Sequence, residues 1–452
     1  MSKKQGRQTP EKINGDSRRQ FLKRASVLSL TSGGSLTLAS GSSVAAVKTK
    51  AKIVIVGSGL GGLAVANRLA RELDGAQITI VDRKEMHNYQ PGYTLVATGV
   101  WPEGKVVDRN SDFQPDGVKW IQEMAAEFDP VSKVVVTDAG QRIAYDFLLV
   151  ATGLHLDFDK IEGMDTKYIG THGLASVYPS AQAAQATWKA MDDFRQKGGD
   201  AVMTLPATPL KCAGAPLKMT FMLDSRLREQ NTRSNSKIVF HSAATTVFGV
   251  PVINENVLQR WAKLGIQTQY QSQLSSIDIG GQKATFVDPG TGDKTDVPYD
   301  FIHVVPPMRA PDAIKSSPLS YQSGPMTAGG WLEVDRFSLQ HTRFPNVFGI
   351  GDINGTPRGK TAATVKKSAP IVAQNMIDAI QGKALSADPF DGYTSCPLLL
   401  REGSAMLLEF DYAGKLTPSI PFIEPLQDSY FAWLMKYRFL KPAYIAVAKG
   451  RV

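Results

Sequence analysis

Short apolar runs alternate along this chain with stretches that carry helical spacing. Lys52-Ile53-Val54-Ile55-Val56 is apolar on both faces, which predicts a strand buried inside a parallel sheet, and a helical run follows from Leu60 to about Leu73. Gln77–Val81 predicts a second strand, and residues 145–150 and 344–349 two more. A second set begins at residues 201–205, a buried strand followed by a helix over 217–228. Strands over 238–240, Lys283–Val287 and 301–305, with a helix through 254–264, belong with it. Strand and helix in alternation mean an α/β protein with parallel sheets. The two sets read as two dinucleotide-binding, Rossmann-like domains, the second inserted within the first.

The turn after the first strand is Gly57-Ser58-Gly59-Leu60-Gly61-Gly62, a G-x-G-x-x-G pattern between strand and helix. Glycines there let the backbone close on a pyrophosphate at the helix N-terminus. Asp82 ends the second strand, 25 residues beyond Gly57, where a carboxylate can accept hydrogen bonds from an adenosine ribose. NAD and FAD both remain open at this point. Two further stretches select FAD. Strand 145–150 ends in Ala151-Thr152-Gly153, the turn by which two-dinucleotide-domain flavoproteins leave the first domain, and 344–352 returns to it, ending in Gly351-Asp352. In that pattern Asp352 reaches the ribityl chain or pyrophosphate, and a helix from about Thr361 aims its positive end at the isoalloxazine. Lys360, at its start, is either a cation for the reduced flavin or a solvated surface lysine.

In the second domain the equivalent turn is Thr208-Pro209-Leu210-Lys211-Cys212-Ala213-Gly214-Ala215-Pro216. Prolines and a cysteine fill the place of the glycine loop, which argues against NAD(P)H. Cys396, in Tyr393-Thr394-Ser395-Cys396-Pro397, is the chain's other cysteine.

Charge changes the picture at one end. Of the formal +9, residues 1–46 hold eight Lys and Arg against Glu11 and Asp16, and the remainder has no basic run interleaved with aromatics, so nucleic acid is excluded as a partner. Ser17-Arg18-Arg19-Gln20-Phe21-Leu22-Lys23 matches a twin-arginine export signal, followed by a weakly apolar region and small residues at 42–46. A basic disordered tail is the alternative. Export predicts a mature chain from about Val47 in an oxidising, periplasmic compartment. His87, His155, His172, His241, His303 and His341 are scattered without ligand spacing, so no metal is expected.

From Ser429 onward Tyr430, Phe431, Trp433, Leu434, Tyr437, Phe439 and Tyr444 are mixed with Lys436, Arg438, Lys441, Lys449 and Arg451 and no acid. That composition suits a membrane interface, and the charges with Pro442 interrupt it too often for a span. A helix packed on its own domain, or on a second copy in a homo-oligomer, is the alternative.

The two cysteine motifs, together with His303-Val304-Val305-Pro306-Pro307-Met308 and Phe348-Gly349-Ile350-Gly351-Asp352, resemble sulfide:quinone oxidoreductase of the class that includes the mitochondrial enzymes. The likeness runs from about Ala51 to Lys436. It implies the glutathione-reductase-like flavoprotein fold, FAD, and oxidation of sulfide to persulfide or polysulfide sulfur for a small-molecule acceptor, with two electrons passed to a membrane quinone. It further implies a redox disulfide in which sulfide attacks Cys396 and Cys212 leaves as a thiolate beside the flavin. An ordinary disulfide staple is the alternative for that pair. Arg83, Gln90 and Ala125 join Gly57, Ser58, Gly59, Leu60, Gly61, Gly62, Asp82, Thr152, Gly153, Asp352, Lys360 and Thr361 in the implied cofactor set. Tyr430, Phe431, Trp433 and Phe439 are the implied quinone and membrane contacts of a peripheral, membrane-associating C-terminal segment. The resulting organisation is a signal peptide (1–46), an FAD domain in two parts (47–160 and 329–390), a second Rossmann-like domain (161–328) and a C-terminal region (391–452). Two rivals stand beside it: the flavin subunit of a flavocytochrome c sulfide dehydrogenase, and a non-catalytic flavin-binding interaction protein. Lys218 departs from the family pattern, occupying a position where some members carry an acid.

Overall fold

The structure, a computed structural model, describes residues 46–452; the Arg18-Arg19 motif lies outside the described residues. In chain order, β1 (Lys52–Val56), α1 (Leu60–Glu72), β2 (Gln77–Val81), β3 (Lys119–Ile121) and β4 (Phe147–Val150) open the first domain. The second contains β5 (Leu174–Ala175), α2 (Ala181–Lys197), β6 (Gly199–Leu205), α3 (Ala215–Glu229), β7 (Ser236–Ser242), α4 (Pro251–Leu264), β8 (Ile266–Gln269) and β9 (Phe301–His303). The chain then returns through β10 (Val347–Gly349) and α5 (Ala362–Ile380). A hairpin follows, β11 (Thr394–Arg401) with β12 (Ser404–Phe410), and the tail closes with α6 (Tyr430–Leu434), a π turn (Met435–Phe439) and α7 (Leu440–Ala448).

Each domain is built on a five-stranded parallel sheet, ordered β10-β4-β1-β2-β3 in the first and β5-β9-β6-β7-β8 in the second. β1 lies between β4 and β2, so its Ile53, Val54, Ile55 and Val56 are buried on both faces, as an uninterrupted apolar strand requires. Antiparallel meanders sit beside both sheets, 125–144 and 273–298, the latter containing the strand expected at Lys283–Val287. Elements are longer than the sequence pattern suggests where polar ends continue a ladder: β7 runs from Ser236 to Ser242 because Gly199–Leu205 pairs with it residue by residue.

The tail departs most from expectation. No helix among the described residues is long and apolar enough to cross a membrane. α7 packs on α1 of the first domain, where Asn67 Nδ2 donates to Ala448 O (3.0 Å) and Arg71 to Lys449 O (3.1 Å), while Lys441 pairs with Asp108 (2.9 Å). The C-terminal segment is therefore docked along its length on its own chain.

Candidate active site

The glycine loop has the geometry of a phosphate cradle. Gly57 stands at φ 109°, closed to residues with a Cβ, and a side chain on it would run into the carbonyl of Ala151. A Cβ on Gly62 would strike Gly57 O, and one on Gly61 would lie 2.9 Å from Ile350. Gly59, in contrast, faces open space and caps α1 without a side chain, so the N–H groups of the first turn are left to a ligand. Gly153 likewise meets nothing within 4 Å. Thr152, whose buried Oγ1 has no partner, lies against this turn, its backbone N 3.1 Å from where a Cβ on Gly57 would stand. These features fit a dinucleotide. Asp82 accepts from Ser58 N (2.7 Å), Ser58 Oγ (2.9 Å) and Lys84 N (2.9 Å).

Other members of the implied set lie further out. Arg83 is exposed and pairs with Asp138; Gln90 is exposed; Ala125 is half-buried in the small meander. Thr361 caps α5 by accepting from Thr364 N (3.2 Å), so the helix begins where the pattern placed it. Lys360 is not a solvated lysine. It is buried, and its Nζ donates to Asp352 O (2.6 Å) and Asn354 O (2.8 Å) while lying 3.8 Å from the centre of the Trp331 ring. Burial lowers its pKa to about 8, and that of Lys211, beside Asp352, likewise to about 8. The same desolvation raises the Asp352 carboxyl, with Lys360 and Lys211 opposing it.

The second constellation is built where β6 gives way to α3. Cys212 sits at φ 49°, a left-handed conformation that costs a non-glycine residue about 1–2 kcal/mol. It is held there by its N–H on Lys360 O (2.9 Å) and by its carbonyl, which accepts from Ala215 N (2.7 Å) and Tyr178 Oη (3.4 Å). The bond to Lys360 connects the second domain's turn to the start of α5 in the first. Cys396 enters from β11, and a Cβ at Gly214 would collide with its Sγ, so the α3 N-terminus can approach only because that position is glycine. The two cysteines are free thiols within hydrogen-bonding reach of each other.

Their electrostatics are unequal. A hydrogen bond from Cys396 and then the Lys218 and Lys436 ammoniums hold the Cys212 thiol well below its ordinary value, overcoming burial. Cys396, as the partner of that thiolate, is pushed up, and burial adds to the effect. Lys218 Nζ stands 3.4 Å from Cys212 Sγ; burial alone would lower its pKa, and the Cys212 thiolate raises it instead.

Lys436 is the residue that sequence reasoning misplaced. Counted there among cations for lipid, it is 2% exposed, reaches back from the π turn to Pro91 O, and faces the cysteine pair. Burial, with Lys218 nearby, lowers its pKa to about 7. Trp433, read as a membrane contact, is also turned inward and stacks on Tyr437 at 5.9 Å. Helical packing of 430–448 on its own chain is the reason for both: one face of the tail belongs to the core. The other stays outside, with Phe431 half-buried, Tyr430 67% and Phe439 55% exposed, and Phe422, 72% exposed, edge-on to Phe431. The only signal that could have found Lys436 was its place between Trp433 and Tyr437. Glu409 lies opposite Ser395 and so on the other face of the hairpin from Cys396, away from the lysines at the pair.

Comparison with known proteins agrees with this geometry. Residues 51–197 match the family model described as pyridine nucleotide-disulphide oxidoreductase. The mitochondrial sulfide:quinone oxidoreductase of Dictyostelium discoideum is 37% identical over 408 residues, 90% of this chain and 87% of that one. That of Mus musculus is 34% identical over 390 residues, covering 86% and 84%. In fold, the chain superposes on the sulfide:quinone oxidoreductase of Aquifex aeolicus with a TM-score of 0.72 at 21% identity, over 88% of this chain and 92% of that one. With the cysteine pair, the glycine loop and relatives matched over most of their length, the chain belongs to the sulfide:quinone oxidoreductase family.

Proposed function

We propose that this FAD-dependent enzyme oxidises sulfide at a Cys212–Cys396 redox disulfide and delivers the electrons to a membrane quinone. The observation that supports this most is the geometry of the pair: the two sulfurs lie within hydrogen-bonding reach of each other, Lys218 Nζ is 3.4 Å from Cys212 Sγ, and the Lys218 and Lys436 charges favour the Cys212 thiolate. In thiol–disulfide exchange the sulfur with the lower pKa leaves faster. Hydrosulfide therefore bonds to Cys396 Sγ, the Cys212–Cys396 bond breaks, Cys396 becomes the persulfide and Cys212 departs as the thiolate that Lys218 and Lys436 neutralise. Lys436, with its pKa near neutrality, is suited to take up and return a proton at the pair. A small-molecule acceptor then carries off the outer persulfide sulfur. FAD, when bound in the glycine loop, supplies the two-electron oxidation that closes the disulfide again. The turn at 206–214 has no glycine cradle for a second dinucleotide, which supports sulfide rather than NAD(P)H as the reductant. The exposed face carrying Phe422, Tyr430 and Phe439 supports peripheral docking on a membrane. The Arg18-Arg19 motif supports export to the periplasm, outside the described residues.

The test is anaerobic. Purified protein mixed with sulfide should lose its flavin absorbance within seconds, and with NADH it should keep it. Rapid bleaching by NADH, or none by sulfide, overturns the proposal.

A further inference from the structure

A file of side chains runs from the C-terminal helix to the glycine loop. Tyr444 Oη lies 2.8 Å from His87 Nε2, His87 Nδ1 lies 2.8 Å from Asn110 Oδ1, Asn110 Nδ2 donates to Ser58 Oγ at 2.7 Å, and Ser58 Oγ donates to Asp82 at 2.9 Å. Every proton in this file has one place to go. Asn110 Nδ2 also meets Lys84 O at 2.5 Å, and because a carbonyl can only accept, the amide nitrogen must face that side and its oxygen must face His87. That oxygen takes a proton only from His87 Nδ1–H. Burial keeps His87 neutral by lowering its pKa, so Nε2 accepts and the Tyr444 hydroxyl donates. The file thus points one way, from Tyr444 through His87, Asn110 and Ser58 to the Asp82 carboxylate. His87, Asn110, Ser58 and Tyr444 are all buried, so no solvent can replace a missing link.

We propose that Tyr444 is a positioning residue for the adenosine end of the cofactor, holding Ser58 and Asp82 in their binding arrangement from the far end of the chain. Ser58 offers both its N–H and its hydroxyl to one oxygen of Asp82, so its rotamer sets how the carboxylate is turned toward a ribose. The rotamer is in turn fixed by what Asn110 donates to it. Tyr444 is carried by a helix bound to α1, and α1 begins at the glycine loop itself. Docking of the tail and retention of the flavin are consequently linked, each favouring the other. This rests on the flavin occupying the glycine loop, as proposed above.

The experiment dilutes full-length holoenzyme and follows release of FAD by its fluorescence. Tyr444→Phe keeps the ring against Tyr89, with which it makes an edge contact at 4.9 Å, and leaves His87 Nε2 without a donor. Release should be about tenfold faster, the scale of one broken buried hydrogen bond. His87→Phe, which retains aromatic packing against Phe113, should match it. The deciding arm is a cycle with Ser58→Ala: if Tyr444 acts through the file, Tyr444→Phe adds less than twofold in that background. Unchanged release in both Tyr444→Phe and His87→Phe, or an undiminished tenfold effect on top of Ser58→Ala, overturns the inference, the latter by reducing Tyr444 to general support of the helix. A parent protein that carries no FAD is a separate result: it removes the flavin reading, and the positioning role falls with it.

Discussion

Replacing Lys218 by methionine in a Cys396→Ser background isolates the charge that stabilises Cys212. The serine keeps a hydroxyl donor where Cys396 stood and leaves Cys212 free, so a thiolate beside oxidised flavin announces itself as a long-wavelength charge-transfer band. At 3.4 Å and an effective dielectric of ~20, the ammonium attracts the thiolate by about 5 kcal/mol. Lys436 remains, and burying Lys218 has its own cost, so a third of that figure is a fair expectation. Even roughly 1.5 kcal/mol is a tenfold change in the thiolate-to-thiol ratio. Because a cation favours the anion, its loss must move the titration midpoint upward: the band, present at neutral pH with Lys218, should need more alkaline solution without it. Lys218→Arg keeps the charge and should retain most of the band, which guards against reading a misfolded variant as a titration effect. Superimposable pH profiles for the lysine and methionine forms would refute the argument, and a band in Cys212→Ser in place of Cys396→Ser would exchange the roles of the two cysteines.

Three further outcomes are expected. Gly62→Ala should abolish FAD incorporation in purified protein, since the added methyl collides with Gly57 O and overpacking of this kind costs about 1–3 kcal/mol or more; a normal flavin-to-protein absorbance ratio would contradict it. Deleting 429–452 should remove quinone reduction and, because Lys436 and Tyr444 leave with it, also slow flavin reduction by sulfide at least tenfold; stopped-flow reduction at the parent rate would show the docked tail to be dispensable. Exchanging Arg18 and Arg19 for lysine should strand the flavin-loaded protein in the cytoplasm, and periplasmic accumulation at the parent level would count against the export motif.

What could be read from the chain alone was whatever depends on neighbours in sequence. The glycine loop, Asp82 at the end of β2, and the strand–turn–helix carrying Cys212 are local patterns, and the structure has each as a strand end or helix start. Cys396 was legible as a motif, and its approach to Gly214 was not, because it depends on a hairpin that returns 182 positions further along the chain. The tail was the weakest reading. Aromatics and lysines in alternation look the same whether a helix lies on lipid or on its own domain, and only the position of Asn67, Arg71 and Asp108 on the facing surface settles which side chains turn in. Trp433 and Lys436 turned in; Tyr430 and Phe439 did not.

The π turn at Met435–Phe439 acts as a phase adjuster. An α-helix advances about 100° per residue, and a π turn accommodates one residue more than an α turn closes with. Lys436 lies inside it and Tyr444 beyond it, so the extra residue sets the angle between the side that meets the cysteines and the side that meets His87. Because the wide turn absorbs the extra residue, winding the same sequence as regular α-helix would swing everything downstream by about that same 100°. Lys436 would then keep its place while Tyr444 and Ala448 rotated off α1, so the π turn is what lets one helix serve two sites that a truncation removes together.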